Sequence, residues 1–300
     1  MGRGPAQRTR ALLVACQDIL AEIQPASVRA VCYRLFTMNL ISAMTKNETN
    51  KISRLLTQAR ENGWIAWEWI VDETRGMEQA AQWRDPRQFM DVVKRSYRKD
   101  HWALQPTHVE VWSEKGTIRG TVQPVLDEFG IGFRVMHGYG SATALNEIAD
   151  AACTSDKPWV ALYVGDFDPS GLHMSAVDLP GRLAAYGARN LDIRRVALTE
   201  ADVQGGTLPP FPLESKRADP RHNWYRDTFG HLARGQCWEL DALSPVILRD
   251  RLEQAIVDEL DLVQWDRSML AETAEQDSLT TYFAGWKSIS GPASEYGAQP

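Results

Sequence analysis

Two aspartates one residue apart, Asp166 and Asp168, lie in the stretch Tyr163-Val164-Gly165-Asp166-Phe167-Asp168-Pro169-Ser170-Gly171. An apolar run over residues 159–164 leads into them, and a Pro-Ser-Gly turn follows. Residues i and i+2 of a strand point the same way, so the two carboxylates would project together from a strand end. Side by side they repel, and a bridging cation relieves that repulsion. Carboxylate oxygens at this spacing suit a hard divalent ion, Mg²⁺ or Mn²⁺. Asp, Pro, Ser and Gly are also ordinary turn formers, and a solvated acidic turn needs nothing bound. Glu114 tips the balance toward the metal. It follows a second apolar stretch, residues 109–112, about fifty positions earlier, and adds a third carboxylate after a strand.

The pattern from residue 105 onward supplies the scaffold for these groups. Strands are predicted over 109–112, 132–136, 159–164 and 192–198, and helices over 117–129, 142–152 and 173–187. Alternation of this kind predicts an α/β fold, a mainly parallel sheet with helices on both faces. In such sheets the ligand site lies outside the carboxyl ends of the strands. Glu114, the turn His137-Gly138-Tyr139-Gly140 and the Asp166/Asp168 pair each follow a strand, so they are expected at one edge. His137 and His173 fall near that edge and are read as turn and helix packing. Glu239 and Asp241 repeat the i, i+2 spacing and are candidates to join the cation site or a DNA channel.

The front of the chain has a different rhythm. Residues 8–24 predict a helix stopped by Pro25, and Ser27 is a fitting N-cap for a second helix with Val28, Val31, Cys32, Leu35 and Phe36 on one stripe. Arg29 and Tyr33, four apart, share a neighbouring face of that helix. Residues 47–62 predict a third helix, apolar at Ile52, Leu55, Leu56 and Ala59, with Lys51, Arg54 and Arg60 outside and Gly63 as its stop. Residues 64–71 alternate as a strand through Trp67, Trp69 and Val71, before the turn-like Asp72-Glu73-Thr74-Arg75. Three helices and a β-wing in this order predict a winged helix-turn-helix whose third helix meets a DNA groove. The tryptophans are read as wing core, in preference to a base-stacking platform.

Charge divides along the same line. Residues 1–100 carry 16 Lys+Arg against 11 Asp+Glu, while residues 101–300 carry 17 against 28. A basic front and an acidic rear fit a DNA-gripping module joined to a metal-dependent one, and the overall charge of −6 speaks against a uniformly basic coat protein. Four scattered cysteines exclude a Cys-x-x-Cys zinc ribbon and predict a reducing compartment. No apolar run reaches the roughly 18 residues of a membrane span. Leu13-Val14-Ala15-Cys16 imitates a lipoprotein cleavage site, but its apolar run is too short and continues as a helix. A cytoplasmic, nucleoid-associated protein is expected. The predicted organisation is a winged-helix domain over 1–75, a basic connecting helix over 76–104, the α/β domain over 105–264 and a helical or disordered tail over 265–300.

Val111-Trp112-Ser113-Glu114-Lys115, the glycine turn and Asp166-Phe167-Asp168-Pro169-Ser170-Gly171 resemble a Toprim domain. The version they resemble is that of the A subunit of type VI DNA topoisomerases and the related meiotic double-strand-break protein. That family places a winged-helix domain ahead of the Toprim domain and carries its catalytic tyrosine in an Arg-x-x-Tyr-Tyr context. Arg29-Ala30-Val31-Cys32-Tyr33 matches this with Cys32 in place of the first tyrosine. Leu198-Thr199-Glu200, residues 216–221, Tyr225 and residues 239–243 look like later parts of the family, so the resemblance spans roughly residues 27–260.

The resemblance implies Mg²⁺-dependent (or Mn²⁺-dependent) cleavage of double-stranded DNA by transesterification through a 5′-phosphotyrosyl intermediate. Tyr33 would be the nucleophile, Arg29 its electrostatic partner, and Glu114, Asp166 and Asp168 the metal ligands, Glu114 doubling as a proton-transfer group. Lys115 joins Lys51, Arg54 and Arg60 as a DNA-binding residue. A homodimer is implied, with Tyr33 of one chain facing the acidic edge of the other. The chain holds no P-loop, so a separate ATPase (B-type) subunit is the implied partner for strand passage. Two alternatives use the same residues differently: a Toprim nuclease that activates water, and a winged-helix DNA-binding regulator with a non-catalytic Toprim-like domain.

Overall fold

The computed structural model describes residues 7–71, 82–136 and 140–284. Among these, residues within 1–75 and Pro106–Leu260 form one compact unit, and residues within 76–105 and 261–300 form a second. The expected winged-helix and α/β segments therefore share one unit. The connecting segment and the tail, expected as separate pieces, belong together in the other.

Three helices open the first unit: α1 (Gln7–Ile23), α2 (Val28–Thr37) and α3 (Lys46–Glu61). The Ser27 side chain accepts the Ala30 N–H at 3.2 Å, so α2 begins where the cap chemistry places it. Gly63 follows α3 at φ +71, a left-handed conformation that glycine adopts without steric cost. Ile19, Leu20, Ile23, Val31, Leu35, Ile52 and Leu56 bury their side chains between the three helices.

Among the described residues, the segment expected as the wing strand does not form one. Trp67–Trp69 closes a single 3₁₀ turn, and only Ile70 makes a bridge, with Ala26. A strand needs a partner along its length, and among the described residues this segment has one only at a single residue. Trp64 and Trp67 are consequently 51% and 58% exposed, and only Trp69 packs on the helical core. Trp69 is thus a core residue, as expected, while Trp64 and Trp67 are not. The 72–75 turn lies outside the described residues.

Four parallel strands form the sheet in the order β2-β1-β3-β4: β1 (His108–Ser113), β2 (Gly132–Val135), β3 (Trp159–Val164) and β4 (Leu191–Ala197). Parallel neighbours require crossovers, supplied here by α5 (Arg119–Phe129), α6 (Ala142–Thr154) and the segment α7 (Pro169–His173), a π-turn (Met174–Asp178) and α8 (Leu179–Ala185). Trp112, Ala161 and Tyr163 face a core shared with Leu145, Ile148 and Leu183, while Val111, Val160 and Leu162 are buried on alternate positions. The glycine turn expected at the end of β2 falls at residues 137–139, outside the described residues, apart from Gly140.

Beyond β4 the unit continues through α9 (Glu200–Gln204), the short antiparallel pair β5 (Phe211–Pro212) and β6 (Gln236–Cys237), α10 (His222–Ala233) and α11 (Pro245–Val257). In the second unit, α4 (Pro86–Ser96) is shorter than the helix expected over 76–104, and α12 (Leu262–Ala284) makes the described part of the tail helical. Arg98 and Lys99 of the basic run pair with Glu272 at 3.4 Å and Glu275 at 2.6 Å, both on α12. No helix among the described residues is long and apolar enough to cross a membrane.

Candidate functional site

The strand order creates the site. From β1 the chain crosses to β2 on one side, then returns past β1 to β3 on the other, so the direction reverses between β1 and β3. A crevice opens at such a switch point, outside the carboxyl ends of the strands. Ser113 pairs in register with Val164, the last residues of β1 and β3. Glu114 leaves one strand and Gly165-Asp166 the other, directly beside it.

The Asp166–Gly171 turn is held by its own chemistry. Asp168 is the N-cap of α7; its Oδ1 accepts the Gly171 N–H at 2.7 Å and the Ser170 hydroxyl at 3.1 Å, and Pro169 takes the first helical position. A Cβ on Gly171 would stand 2.5 Å from the Asp166 carbonyl oxygen, so only glycine fits there. Gly171→Ala is expected to lower stability by about 1–3 kcal/mol through this overpacking. Thermal unfolding checks it, with Gly181→Ala, where a Cβ meets nothing within 4 Å, expected to leave the melting temperature near its original value.

Beneath the turn lies Arg195, which the sequence reading did not single out. Its guanidinium donates to the carbonyl oxygens of Gly165 at 3.0 Å, Asp166 at 3.2 Å, Leu198 at 3.1 Å and Gly171 at 2.7 Å, and to Ser175 Oγ at 3.0 Å. It also stacks 5.1 Å from the Tyr163 ring centroid. An arginine on a strand otherwise rich in apolar residues was the available cue.

Phe167 then ties the turn to a remote segment. Its N–H donates to the Trp238 carbonyl at 2.9 Å, and the Trp238 N–H donates back at 3.0 Å. This antiparallel bridge lays Glu239 and Asp241 beside Asp166 and Asp168, and the Leu240 N–H reaches Asp166 Oδ1 at 2.8 Å. Two i, i+2 acid pairs thus meet.

Three cationic side chains answer them. Lys115 Nζ lies 2.9 Å from Asp166 Oδ1, 3.0 Å from Asp241 Oδ2 and 3.6 Å from Glu239 Oε2. Burial opposes its charge, but the three carboxylates outweigh burial and raise its pKa. Lys115 is therefore turned into the carboxylate cluster of the cleft. Lys216 Nζ lies 2.8 Å from Asp168 Oδ2. Arg29 pairs with Glu239 and, at 3.2 Å, with Asp241. Tyr33, 5% exposed, lies under the Arg29 guanidinium, 5.5 Å from ring centroid to carbon, with its phenol beside the Glu239 carboxylate. Burial and the Glu239 charge raise the phenol's pKa.

These groups line a cleft of ≈ 500 Å³. Its walls carry five carboxylates (Glu114, Asp166, Asp168, Glu239, Asp241) and three cations (Arg29, Lys115, Lys216), a formal charge of −2 when all are ionised. Tyr33 does not line the cleft; its hydroxyl meets Glu239, which does. Burial, followed by the charges of Asp168 and Asp166, raises the pKa of Glu114, whose carboxylate has no hydrogen-bond or ion-pair partner among the described residues.

Among the described residues, no three His, Cys, Asp or Glu side chains already stand in a metal-ligating arrangement. The physical reason is visible: Lys115, Lys216 and two backbone amides engage the aspartate oxygens. As a donor set, Glu114, Asp166 and Asp168 fit a hard cation, all three offering carboxylate oxygen in a cleft with two negative charges in excess.

The remaining expected DNA contacts lie elsewhere. Lys51 and Arg54 line a second groove of ≈ 430 Å³ between α1 and α3, with Asn47, Asn50 and Gln58. Arg60 is apart from them, its guanidinium 4.8 Å from the Trp67 ring centroid. The fold thus brings together Arg29, Glu114, Lys115, Asp166 and Asp168, with Tyr33 against their rim, and leaves Lys51, Arg54 and Arg60 outside. Lys216 was noticed in sequence without a role. Comparison with protein-family models and with curated proteins finds no match to this chain.

Proposed function

We propose that this chain cleaves DNA phosphodiester bonds in a divalent-metal-dependent reaction, with Tyr33 as the attacking group. The observation that carries the reading is the unbroken line of contacts from the Tyr33 hydroxyl through Glu239 and Lys115 to Asp166, within a single chain. Glu114, Asp166 and Asp168 would hold the cation, Mg²⁺ or Mn²⁺. When bound, the metal would neutralise charge on the phosphate and on the departing oxygen.

In the reaction, the Tyr33 oxygen would form a bond to phosphorus as the P–O3′ bond breaks, and the departing 3′ oxygen would take a proton from Glu114, whose pKa is raised by burial, to leave as a hydroxyl. The phenol, with an ordinary pKa of about 10, needs an acceptor for its proton, and Glu239 is the carboxylate beside it. Arg29 stands beside both and would steady the phenolate or the phosphate. Tyr33 reaches this acidic edge in cis, so the crossed arrangement implied by the family is not needed to bring the tyrosine to it. Double-stranded DNA is the proposed partner, with the groove beside Lys51 and Arg54 as a second contact. A homodimer and a separate ATPase subunit belong to the same proposal by family resemblance alone.

One observation favours a second reading, in which water attacks. Tyr33 is 5% exposed, and its neutral form is favoured by burial and by Glu239. Incubation of the full chain with supercoiled DNA and Mn²⁺, followed by denaturation, separates the two. Tyrosine attack predicts a protein–DNA adduct that disappears in Tyr33→Phe. Nicking that persists undiminished in Tyr33→Phe, without an adduct, assigns the attack to water. DNA binding with no cleavage under Mg²⁺ or Mn²⁺ would leave neither reading standing.

A further inference from the structure

Resting on the proposed metal site, a further step concerns which cation must leave for a metal to enter. Asp168 has one oxygen, Oδ1, committed to the Gly171 N–H and the Ser170 hydroxyl as a helix cap. Its other oxygen, Oδ2, faces the cleft and is paired with Lys216 at 2.8 Å. A divalent ion that ligates Asp168 without unwinding the cap has to take Oδ2, which is the atom Lys216 holds.

The two lysines of the cleft are not equivalent. Lys115 is gripped by three carboxylates and its side chain is 23% exposed. Removing it would leave Asp166, Asp241 and Glu239 without that shared charge. Lys216 has one carboxylate partner and a side chain 37% exposed, and it ends a short 3₁₀ turn, Leu213–Lys216, whose buried end is Leu213. A long flexible stem lets its ammonium move several ångströms while the backbone stays in place.

We infer that Lys216 is the resident counter-ion of the metal site, displaced from Asp168 by the divalent cation and transferred to the phosphodiester anion of the substrate. Charge dictates the transfer. With the metal bound, the −2 cleft is neutralised and Asp168 no longer needs the ammonium; a phosphodiester entering next to the metal brings a fresh negative charge. Metal and DNA would therefore each favour binding of the other through one movable side chain, a coupling that is reciprocal by necessity. Lys216 is a positioning residue in this sense.

Mn²⁺ binding to the full chain, measured by electron paramagnetic resonance of the free ion with and without a short DNA duplex, tests the inference. Lys216→Met is expected to bind Mn²⁺ on the order of tenfold more tightly than the unmodified chain in the absence of DNA. The unmodified chain should gain Mn²⁺ affinity when duplex is added, and Lys216→Met should lose most of that gain. Lys216→Arg, which keeps the charge, should stay close to the unmodified chain and guards against a general folding defect. Equal Mn²⁺ affinity in the unmodified chain and Lys216→Met overturns the counter-ion role while leaving the metal site intact. Failure of both to bind Mn²⁺, or binding that survives Asp168→Asn unchanged, overturns the metal site and the inference together.

Discussion

Replacing Arg195 by methionine is expected to destabilise the chain by about 3 kcal/mol, the cost of stranding several inward-facing acceptors and losing charge-assisted hydrogen bonds. The guanidinium collects the carbonyls of Gly165, Asp166, Leu198 and Gly171 and the hydroxyl of Ser175. Methionine has comparable length and fills much of the same volume, so the loss would come from unpaired oxygens and not from a cavity. Lysine is expected to rescue little, because one ammonium cannot reproduce the planar fork that reaches both sides of the turn. Chemical denaturation of Arg195→Met and Arg195→Lys provides the measurement. A change below about 1 kcal/mol in Arg195→Met would show that water satisfies these carbonyls equally well. Because the same carbonyls belong to the turn bearing Asp166 and Asp168, the variant is also expected to lose cleavage activity at temperatures where it remains folded.

Asp168→Asn is the functional counterpart: on the proposed reading it removes a charged ligand of the metal, worth several kcal/mol at the transition state, and is expected to reduce DNA cleavage by about 10³-fold or more. Asparagine is as good a helix cap as aspartate, so the Gly171 N–H can still be accepted and α7 should persist. That separates chemistry from folding: thermal stability should change little while single-turnover nicking of supercoiled DNA collapses. The adduct attributed to Tyr33 should vanish with it. Cleavage at the original rate in Asp168→Asn would remove the acidic edge from the proposed function altogether.

Local pattern was sufficient for many elements. The Ser27 cap, the left-handed Gly63 after α3, the bounds of β3 and the cap-and-turn residues around Asp168 all follow from interactions within a few positions along the chain. The parallel α/β class was legible for the same reason: short apolar runs alternating with amphipathic stretches leave few other arrangements. Local pattern misled at Trp67, where alternation suggested a strand but none of the described residues runs alongside it, and an exposed 3₁₀ turn formed instead.

The sequence by itself determined that three carboxylates would follow strands of one parallel sheet, and that Arg29 and Tyr33 would share a helix face. Only the tertiary structure decided what those groups touch. Leu240 reaches Asp166 across 74 positions and Arg29 reaches Asp241 across 212, separations that no periodicity encodes. The Phe167–Trp238 bridge brings the second acid pair alongside the first, and that excess of negative charge draws Lys115 inward and holds Lys216 on Asp168. Asp166 and Asp168 were visible as a pair of like charges in need of a cation. Folding supplies ammonium groups of the chain itself in that role, because long-range charge balance is settled only when remote segments are packed together.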